Sequence, residues 1–366
     1  MTFPFLLLCL LSLPAIASPP IPEGRRLRDI VADKYPEGRV WIGATIDASA
    51  RSKGDIEEHI LHREFSYSTP ENEFKQSQIN PRPGSWKWNL ADKWLDYSER
   101  HRQTLRIHGP IGPQVSTWVR EDHRTPEELS ELLETFMTDL CRRYQGHPRV
   151  RWMDVVNETV DLKGNWFGPR PGSGGWENPW TIIGVDIDPY RTPLYISRAF
   201  ALAAQHAPNL KLIYNQHSAL EPASMEAVKR AVLYLRNKGL RVDGIGWQAH
   251  VRLGWEKIPG NREYLGSLIR WCHQHKLEFH VTEMNVHLAK DPEANEDQAS
   301  AETFAAIIED LLKHRNNGVV AWNCWHVTDF TRNGGRLALL FAADGSPKSA
   351  YYAVQKLLEE PPDAVK

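Results

Sequence analysis

The chain has 366 residues, of which 41% are hydrophobic, and its 44 Lys and Arg residues nearly balance its 46 Asp and Glu residues. This apolar content is enough for a packed core and excludes an intrinsically disordered chain. A formal net charge of −2 leaves no basic surface of the kind that nucleic-acid-binding proteins carry, so we expect no nucleic-acid partner.

The chain begins with an apolar run that is typical of a signal peptide. Residues 3–17 are too few to span a bilayer and contain two prolines, and Ala15 and Ala17 supply the small residues of an A-x-A cleavage position. We therefore predict a signal peptide at residues 1–17, no membrane span, and a secreted or periplasmic protein. A buried N-terminal helix is the alternative, which the two prolines disfavour.

Strand-like and helix-like segments then alternate along the chain. The clearest helix lies between Thr125 and Gly146, where Thr125 and Glu128 form a capping box ahead of an apolar stripe at helical spacing. Two further helices are predicted at residues 223–238 and 302–315. Short apolar runs predict eight strands. They cover residues 40–44, 64–67, 104–108, 150–156, 211–215, 244–247, 278–281 and 318–322.

This alternation predicts an α/β protein whose parallel strands are joined by helical crossovers. Eight such units fit a (β/α)8 TIM barrel in a single domain, with an inserted loop after the fourth strand. We place the barrel at residues 40–358, between an N-terminal extension (18–39) and a C-terminal tail (359–366). A doubly wound open sheet is the competing architecture, although no G-x-G-x-x-G sequence follows the first strand.

Three cysteines remain after the predicted cleavage: Cys141, Cys272 and Cys324. Their spacing fits no zinc motif, and their odd number permits at most one internal disulfide. We interpret them as small core residues. Residues 272–275 contain one Cys and two His, but adjacent positions of a helix point apart, so we predict no metal site and no cofactor.

The loop after the fourth predicted strand contains three tryptophans, Trp166, Trp176 and Trp180. Exposed indoles would suit stacking against sugar faces; alternatively, they anchor the loop. The glycine-rich run at residues 168–175 lacks the Gly-Lys-Ser/Thr ending of a phosphate-binding loop.

Polar side chains occur at seven of the eight predicted strand ends, where a TIM barrel carries its reacting groups. A barrel's opposite end would not show this pattern, so these side chains are our candidate site. They are Glu71, Asn72 and Lys75 after the second strand, His108 after the third, Asn157 and Glu158 after the fourth, Asn215 after the fifth, Gln248 and His250 after the sixth, Glu283 after the seventh and Trp325 after the eighth.

Two carboxylates of this set, Glu158 and Glu283, each follow a strongly apolar strand. A pair of carboxyl groups facing one bond can protonate a leaving oxygen and attack the developing cation, which is the chemistry of glycoside hydrolysis. Asn157 is placed to donate to a sugar hydroxyl, and His250 to orient Glu283. Taken singly, each Glu also fits a helix cap or a surface charge, and His250 fits a structural histidine.

Seven segments match, in chain order, the motifs of one known family. W-M-D-V-V-N-E, which ends at Glu158, resembles the family's W-D-V-V-N-E motif, and V-T-E-M-N around Glu283 resembles I-T-E-L-D. The other segments are T-P-E-N-E-F-K at 69–75, T-L at 104–105 with His108, V-D-G-I-G-W-Q-A-H at 242–250, W-H-V-T-D at 325–329 and L-L-F at 339–341. Over most of residues 40–357 the chain thus resembles glycoside hydrolase family 10, the xylanase family.

The resemblance implies a retaining mechanism on a β-1,4-linked polysaccharide or oligosaccharide. It assigns Glu158 as the acid/base, Glu283 as the nucleophile and Asn157 as a contact of the sugar's 2-hydroxyl. It also assigns Glu71, Asn72 and Lys75 to the binding of sugars on the non-reducing side. Gln248 and His250 would support Glu283, and Trp325 would form a platform beneath the substrate. We expect an endo-acting enzyme on xylan, and a monomer.

Several positions depart from the family pattern around the cleaved sugar. Asn285 replaces the Asp that follows the nucleophile, which removes a negative charge near His250 and should make that histidine less readily protonated. The other departures are Gln76, Gln103, Ile107, Pro110 and the segment 330–335, which lacks an aromatic residue of the family. They leave open a different or decorated β-glycan as substrate, or a carbohydrate-binding relative that has lost catalysis.

Overall fold

The computed structural model describes residues 20–46, 56–121, 124–169, 178–218, 220–291 and 294–365. The predicted signal peptide, Trp176 and residues 170–175 of the glycine-rich run lie outside the described residues. Within those ranges, the helices include none with the length and apolar character needed to cross a membrane.

Eight parallel strands form a closed barrel. They are β1 (Val40–Ala44), β2 (Tyr67–Ser68), β3 (Thr104–Ile107), β4 (Val150–Asn157), β5 (Lys211–Gln216), β6 (Gly244–Trp247), β8 (Glu278–His287) and β9 (Val320–Cys324). Each strand pairs with the next, and β1 also pairs in parallel with β9, so the sheet has no open edge. This closure confirms the (β/α)8 barrel and excludes the open sheet.

Helices surround the barrel, and three short strands extend its C-terminal end. The helices are α1 (Leu27–Lys34), α2 (Ile56–Glu64), α3 (Gln76–Ile79), α4 (Asn89–His101), α5 (Thr117–Glu121), α6 (Pro126–Tyr144), α7 (Leu194–His206), α8 (Pro222–Asn237), α9 (Asn261–Gln274), α10 (Glu296–Lys313) and α11 (Ser349–Glu359), with 3-10 turns at Pro179–Ile183 and Trp255–Lys257. The short strands are β7 (His250–Arg252), β10 (Phe330–Arg332) and β11 (Gly335–Ala338).

The clearest predicted helix is present as α6, and its capping box is formed. The Thr125 hydroxyl accepts from the Glu128 backbone N–H at 3.2 Å, while the Glu128 carboxylate accepts from the Thr125 backbone N–H at 2.9 Å. Two backbone donors of the first turn are thereby satisfied, which fixes where the helix begins.

The second predicted strand, at residues 64–67, is wrong in its position. Glu64 is the last residue of α2, and only Tyr67–Ser68 pair as β2. The Glu64 carboxylate is buried and accepts from the Leu27 backbone N–H at 3.1 Å and the Tyr351 hydroxyl at 2.9 Å, so distant contacts fix the helix end. These contacts come from elements far away in sequence, which a local pattern does not contain.

Strand β8 is longer than the predicted 278–281 because two short strands pair with its far end. Its residues 285–287 pair in parallel with β7, and His287 and Val286 pair with β11 in an antiparallel hairpin formed by β10 and β11. At this point β7, β8 and β11 therefore extend the barrel wall beyond the C-terminal rim, next to the polar strand ends.

Large side chains fill the middle of the barrel. Tyr67, Trp152 and Ile213 form a buried cluster with Trp41 packed against it. A Cβ on Gly43 would lie 2.4 Å from the Tyr67 ring, so glycine is required where this ring crosses β1. The interior is thus a packed core and not a pore.

The three described cysteines are fully buried and form no disulfide, which confirms their interpretation as core residues. Among the described residues, no group of three or more His, Cys, Asp or Glu side chains is arranged to hold a metal ion.

Candidate active site

A cavity of about 280 Å³ opens at the C-terminal ends of the barrel strands. It collects side chains from loops and strands that lie far apart in the sequence, including both carboxylates that the motifs single out. Its lining residues are Glu71, Lys75, His108, Gln114, Glu158, His217, Gln248, His250, Glu283, Trp325, Arg332 and Asn333.

Glu158 enters this cavity from the residue after β4, in a left-handed backbone conformation with φ of 57°. Its side chain is held between two amides: Gln248 Nε2 donates to Oε1 at 2.8 Å and Gln114 Nε2 donates to Oε2 at 2.9 Å. The residue is only 4% exposed. The carboxyl group is therefore fixed in direction at the edge of the cavity.

Glu283 enters the same cavity from within β8, beside a break in the register with β9 between Val281 and Met284. One carboxylate oxygen accepts from Asn215 Nδ2 at 2.9 Å and lies 3.7 Å from His108 Nε2, while the other lies 3.4 Å from His250 Nε2. Burial raises the pKa of this carboxyl, but the neighbouring His108 and His250 outweigh burial, and the net pKa is lowered. The environment therefore favours the ionised form of Glu283.

Amide side chains connect the two carboxylates. Gln248 Nε2 also lies 3.2 Å from Asn157 Oδ1, and Asn215 Nδ2 donates to the same oxygen at 2.8 Å. Glu158 and Glu283 are thus joined through Gln248, Asn157 and Asn215, so side chains on or next to β4, β5, β6 and β8 meet here. Asn157 Nδ2 is buried and has no hydrogen-bond partner among the described residues, so one donor remains to be satisfied.

The position of Asn215 depends on a glycine in the neighbouring strand. A Cβ on Gly246 would lie 2.3 Å from Asn215 Oδ1, and that oxygen accepts from the Thr282 hydroxyl at 2.7 Å. Glycine at 246 therefore leaves the space in which the Asn215 amide turns its Nδ2 toward Glu283.

His250 bridges Glu283 and the position that departs from the family pattern. Its Nδ1 lies 3.1 Å from Asn285 Oδ1, and its Nε2 faces Glu283. Burial lowers the pKa of His250, but the hydrogen bond and charge of Glu283 raise it, and the net pKa is raised. The effect of Asn285 relative to an aspartate at the same position stays a prediction.

One end of the cavity is rich in charged groups. Lys75 Nζ donates to Asn72 Oδ1 at 3.0 Å, and the Glu71 carboxylate lies 3.3 Å from Arg332 Nη1 and 3.4 Å from His326 Nε2. Burial raises the pKa of Glu71, whereas His326, Arg332 and Lys75 lower it, giving a pKa of about 2. Glu71 is therefore a fixed negative charge and hydrogen-bond acceptor.

Trp325 and the described tryptophans of the loop after β4 occupy different environments. Trp325 lines the cavity with 4% of its surface exposed and its ring centroid 5.2 Å from that of His108. Trp180 is fully buried and donates to the Gly112 carbonyl at 3.2 Å, so it anchors the loop. Trp166 lies in a separate pocket and donates to the Tyr190 carbonyl at 2.9 Å.

Several residues of the cavity were not predicted as site residues. Gln114, His217 and Arg332 lie in loops or in the hairpin, where no strand end marks them. Beneath the cavity, the fully buried Arg106 pairs with Asp154, whose carboxylate lies 3.0 Å from His108 Nδ1. A charged residue inside an apolar strand is the one sequence signal that marks this last pair.

The chain is similar to known proteins of one family. The model of glycosyl hydrolase family 10 matches residues 31–357. Endo-1,4-beta-xylanase B of Thermotoga neapolitana is 28% identical over 352 residues, which cover 90% of this chain and 91% of that protein. Endo-1,4-beta-xylanase A of Caldicellulosiruptor sp. is 27% identical over 82% of this chain, which spans only 43% of that longer relative.

The solved structures give the same result. Xylanase 10B from Thermotoga petrophila RKU-1, crystallised with xylobiose, superimposes with a TM-score of 0.79 at 27% identity, covering 93% of this chain and 99% of that one. Native xylanase 10B from Thermotoga maritima gives a TM-score of 0.78 at the same identity. With a family model that spans most of its length, the chain belongs to glycosyl hydrolase family 10.

Proposed function

We propose that this protein is a retaining endo-1,4-β-xylanase in which Glu158 is the acid/base and Glu283 the nucleophile. The observation that carries the proposal is that both carboxyl groups line one cavity in contrasting environments. Glu283 faces His108 and His250, whereas the side-chain hydrogen bonds of Glu158 come from two neutral amides. Such a difference separates a carboxylate that attacks from a carboxyl group that exchanges protons.

The proposed reaction has two steps. Glu283 attacks the anomeric carbon while Glu158 donates its proton to the leaving glycosidic oxygen, so that a covalent glycosyl-enzyme forms and the reducing-end fragment departs. Glu158, now ionised, then removes a proton from water, which attacks the anomeric carbon and releases Glu283. The unsatisfied Asn157 Nδ2 supports this scheme because it can donate to a sugar hydroxyl next to the reacting carbon.

Substitution of the two carboxyl groups tests the proposal. We expect Glu158→Gln and Glu283→Gln each to lower kcat on xylan by at least about 10²-fold, since each removes one proton-transfer or bond-forming group. Glu134→Gln, on the exposed face of α6, is the matched control. Product anomers followed by NMR should show retention. Wild-type turnover in either carboxyl variant, or inversion, would contradict the assignment.

The charged cavity wall supports a second candidate substrate, a decorated or different β-glycan. Arg332 and Asn333 line the cavity from the β10–β11 hairpin, in the segment that lacks a family aromatic. Initial rates on xylan, arabinoxylan, glucuronoxylan and β-glucan at equal mass loading decide between the candidates. A kcat/KM on plain xylan well below that on another glycan would change the substrate assignment and leave the mechanism in place.

We also propose that the protein is exported and monomeric. The apolar run and A-x-A site at residues 3–17 support export. N-terminal sequencing of the extracellular or periplasmic product should begin near Ser18, and sedimentation should give the mass of one chain. Retention of residues 1–17 in a cytoplasmic product would contradict export.

A further inference from the structure

A column of buried polar groups runs through the barrel interior from its base to Glu283. Trp152 Nε1 donates to Glu278 Oε2 at 2.9 Å, and the same oxygen lies 3.0 Å from His280 Nε2. The other nitrogen of His280, Nδ1, accepts from Arg106 Nη1 at 2.6 Å. Between the bottom of the barrel and the cavity, each group in this series therefore contacts the next.

Arg106 is the centre of this column. Its side chain is fully buried, with Nε donating to Asp154 Oδ2 at 3.0 Å and Nη2 donating to Asp154 Oδ1. All three nitrogens of the guanidinium are thus engaged by Asp154 and His280. A guanidinium held by a planar two-point contact has a fixed position, and its charge is weakly screened inside the barrel.

Asp154 connects Arg106 to His108, which in turn faces Glu283. Its Oδ2 also accepts from His108 Nδ1 at 3.0 Å, which leaves His108 Nε2 facing Glu283 Oε1 at 3.7 Å. The Glu283 charge also acts on Arg106 and, with Asp154, raises the pKa of its guanidinium against the effect of burial. Arg106 and Glu283 are therefore electrostatically coupled although they are not in contact.

Charges of both signs surround this column. The ionisable groups that face Arg106 and Glu283 come from six parts of the fold. They are Tyr67 from β2, Lys75 from the loop after it, His108 after β3, Asp154 from β4, His250 from β7, and Glu278 and His280 from β8. Arg106 is the permanent cation that lies closest to Asp154, so removing it would leave Asp154 without its compensation.

We propose that Arg106 is a positioning residue for the reaction: its buried charge compensates Asp154 and so sets the pH range in which His108 holds Glu283 ionised. This inference rests on the proposed role of Glu283 as nucleophile. Arg106 touches neither substrate nor reacting atoms and acts through Asp154 and His108.

A matched set of charge variants tests this role through the pH profile of kcat/KM, which reports ionisations of the free enzyme. In Arg106→Met the Asp154 charge is uncompensated and disfavours ionisation of Glu283, so the acid limb should move up by at least about half a unit. In Asp154→Asn the guanidinium is uncompensated, and its permanent charge outweighs the loss of the partner of His108, so the acid limb should move down. The double variant removes both charges, and its acid limb should return to within about 0.3 units of wild type, because the apparent pKa belongs to the coupled groups.

The same set separates a charge effect from a loss of packing. Arg106→Lys keeps the charge and should keep the wild-type acid limb while it lowers Tm. The control is Arg262→Met, which breaks the Arg262–Asp310 ion pair between α9 and α10 and should lower Tm without moving the limb. If Arg106→Met does not fold, Asp154→Asn and the double variant, in which a buried pair is replaced together, still give the opposite shift and its cancellation.

Three results would overturn the inference. An acid limb at the wild-type pH in all folded variants would make Arg106 a structural residue alone. Shifts of the same sign in Arg106→Met and Asp154→Asn would exclude charge compensation. A wild type with no glycan turnover would overturn the proposed function, and with it this inference. If the wild type is active and Glu283→Gln loses turnover, the proposed function stands, and the first two results then decide the role of Arg106.

Discussion

At the scale of single residues, the orientation of Glu158, the proposed acid/base, depends on a side chain that no motif marks. Gln114 donates one of the two hydrogen bonds that Glu158 receives, from a half-buried position in the loop after β3. The other donor, Gln248, is shared with Asn157. Loss of Gln114 would therefore leave Glu158 held from one side only.

We expect Gln114→Ala to lower kcat/KM on xylan about 10-fold, because one hydrogen bond to a carboxyl group is lost and Glu158 gains rotational freedom. The chemistry itself should persist, with product anomers unchanged. Gln78→Ala, at an exposed position on α3, is the control and should match wild type. An unchanged kcat/KM in Gln114→Ala would show that Gln248 alone orients Glu158.

The sequence predicts residues of the site where chemistry coincides with a strand end. Glu158, Gln248 and Glu283 follow from that rule because the barrel brings all strand ends to one face. Gln114 does not, since its place in the cavity depends on how an irregular loop folds back over β4. Arg106 is missed for a different reason: its charge inside an apolar strand is the only local signal, and its partner Asp154 lies 48 positions away.

At the scale of elements, the β10–β11 hairpin that follows β9 forms one wall of the candidate site. β10 and β11 are three and four residues long; they pair with each other, and β11 also pairs with the extended end of β8. Strands this short carry little periodicity, so the sequence indicated only that a family aromatic is missing. In the structure, the hairpin instead brings the Arg332 guanidinium to Glu71 at the end of the cavity.

We expect Arg332→Ala to raise KM for long xylo-oligosaccharides by about 3–10-fold with kcat within about twofold, since the partly buried pair with Glu71 contributes on the order of 1 kcal/mol and lies away from the proposed catalytic carboxylates. Arg336→Ala is the matched control in the same hairpin, because its guanidinium pairs with Glu296 outside the cavity. Steady-state kinetics on a length series measure both constants. An equal fall in kcat would instead place Arg332 in the chemical step.

At the scale of the whole molecule, acid stability follows from how buried ionisable groups differ from the unfolded chain. Burial and nearby cations lower the pKa of His314 and of His101 from 6.5 to about 4. His280 and Trp152 counter the effect of burial on Glu278, and with its neighbours they bring its pKa to about 2, as for Glu71. Glu64 and Asp329 oppose this trend, because burial raises the pKa of both.

The sign of each contribution follows from which state binds the proton. A histidine with a lowered folded-state pKa stays neutral while the unfolded chain takes up a proton, so its contribution is lost as pH falls from 6.5 to about 4. Glu71 and Glu278 lose theirs as pH falls from about 4.5 to about 2. The protein should therefore lose stability in two successive stages on acidification.

His314 isolates the first stage. It is 3% exposed, its Nδ1 is buried with no hydrogen-bond partner in the part of the chain that the structure describes, and Arg270 lies among the cations that oppose its protonation. We expect His314→Gln to flatten the fall of Tm between pH 6.5 and 4 while leaving the fall below pH 4 as in wild type, because a glutamine takes up no proton in either state. Differential scanning calorimetry across pH 3–8 measures both regions. A parallel curve, lowered equally at every pH, would mean that His314 contributes through packing and that other groups bind the protons of the first stage.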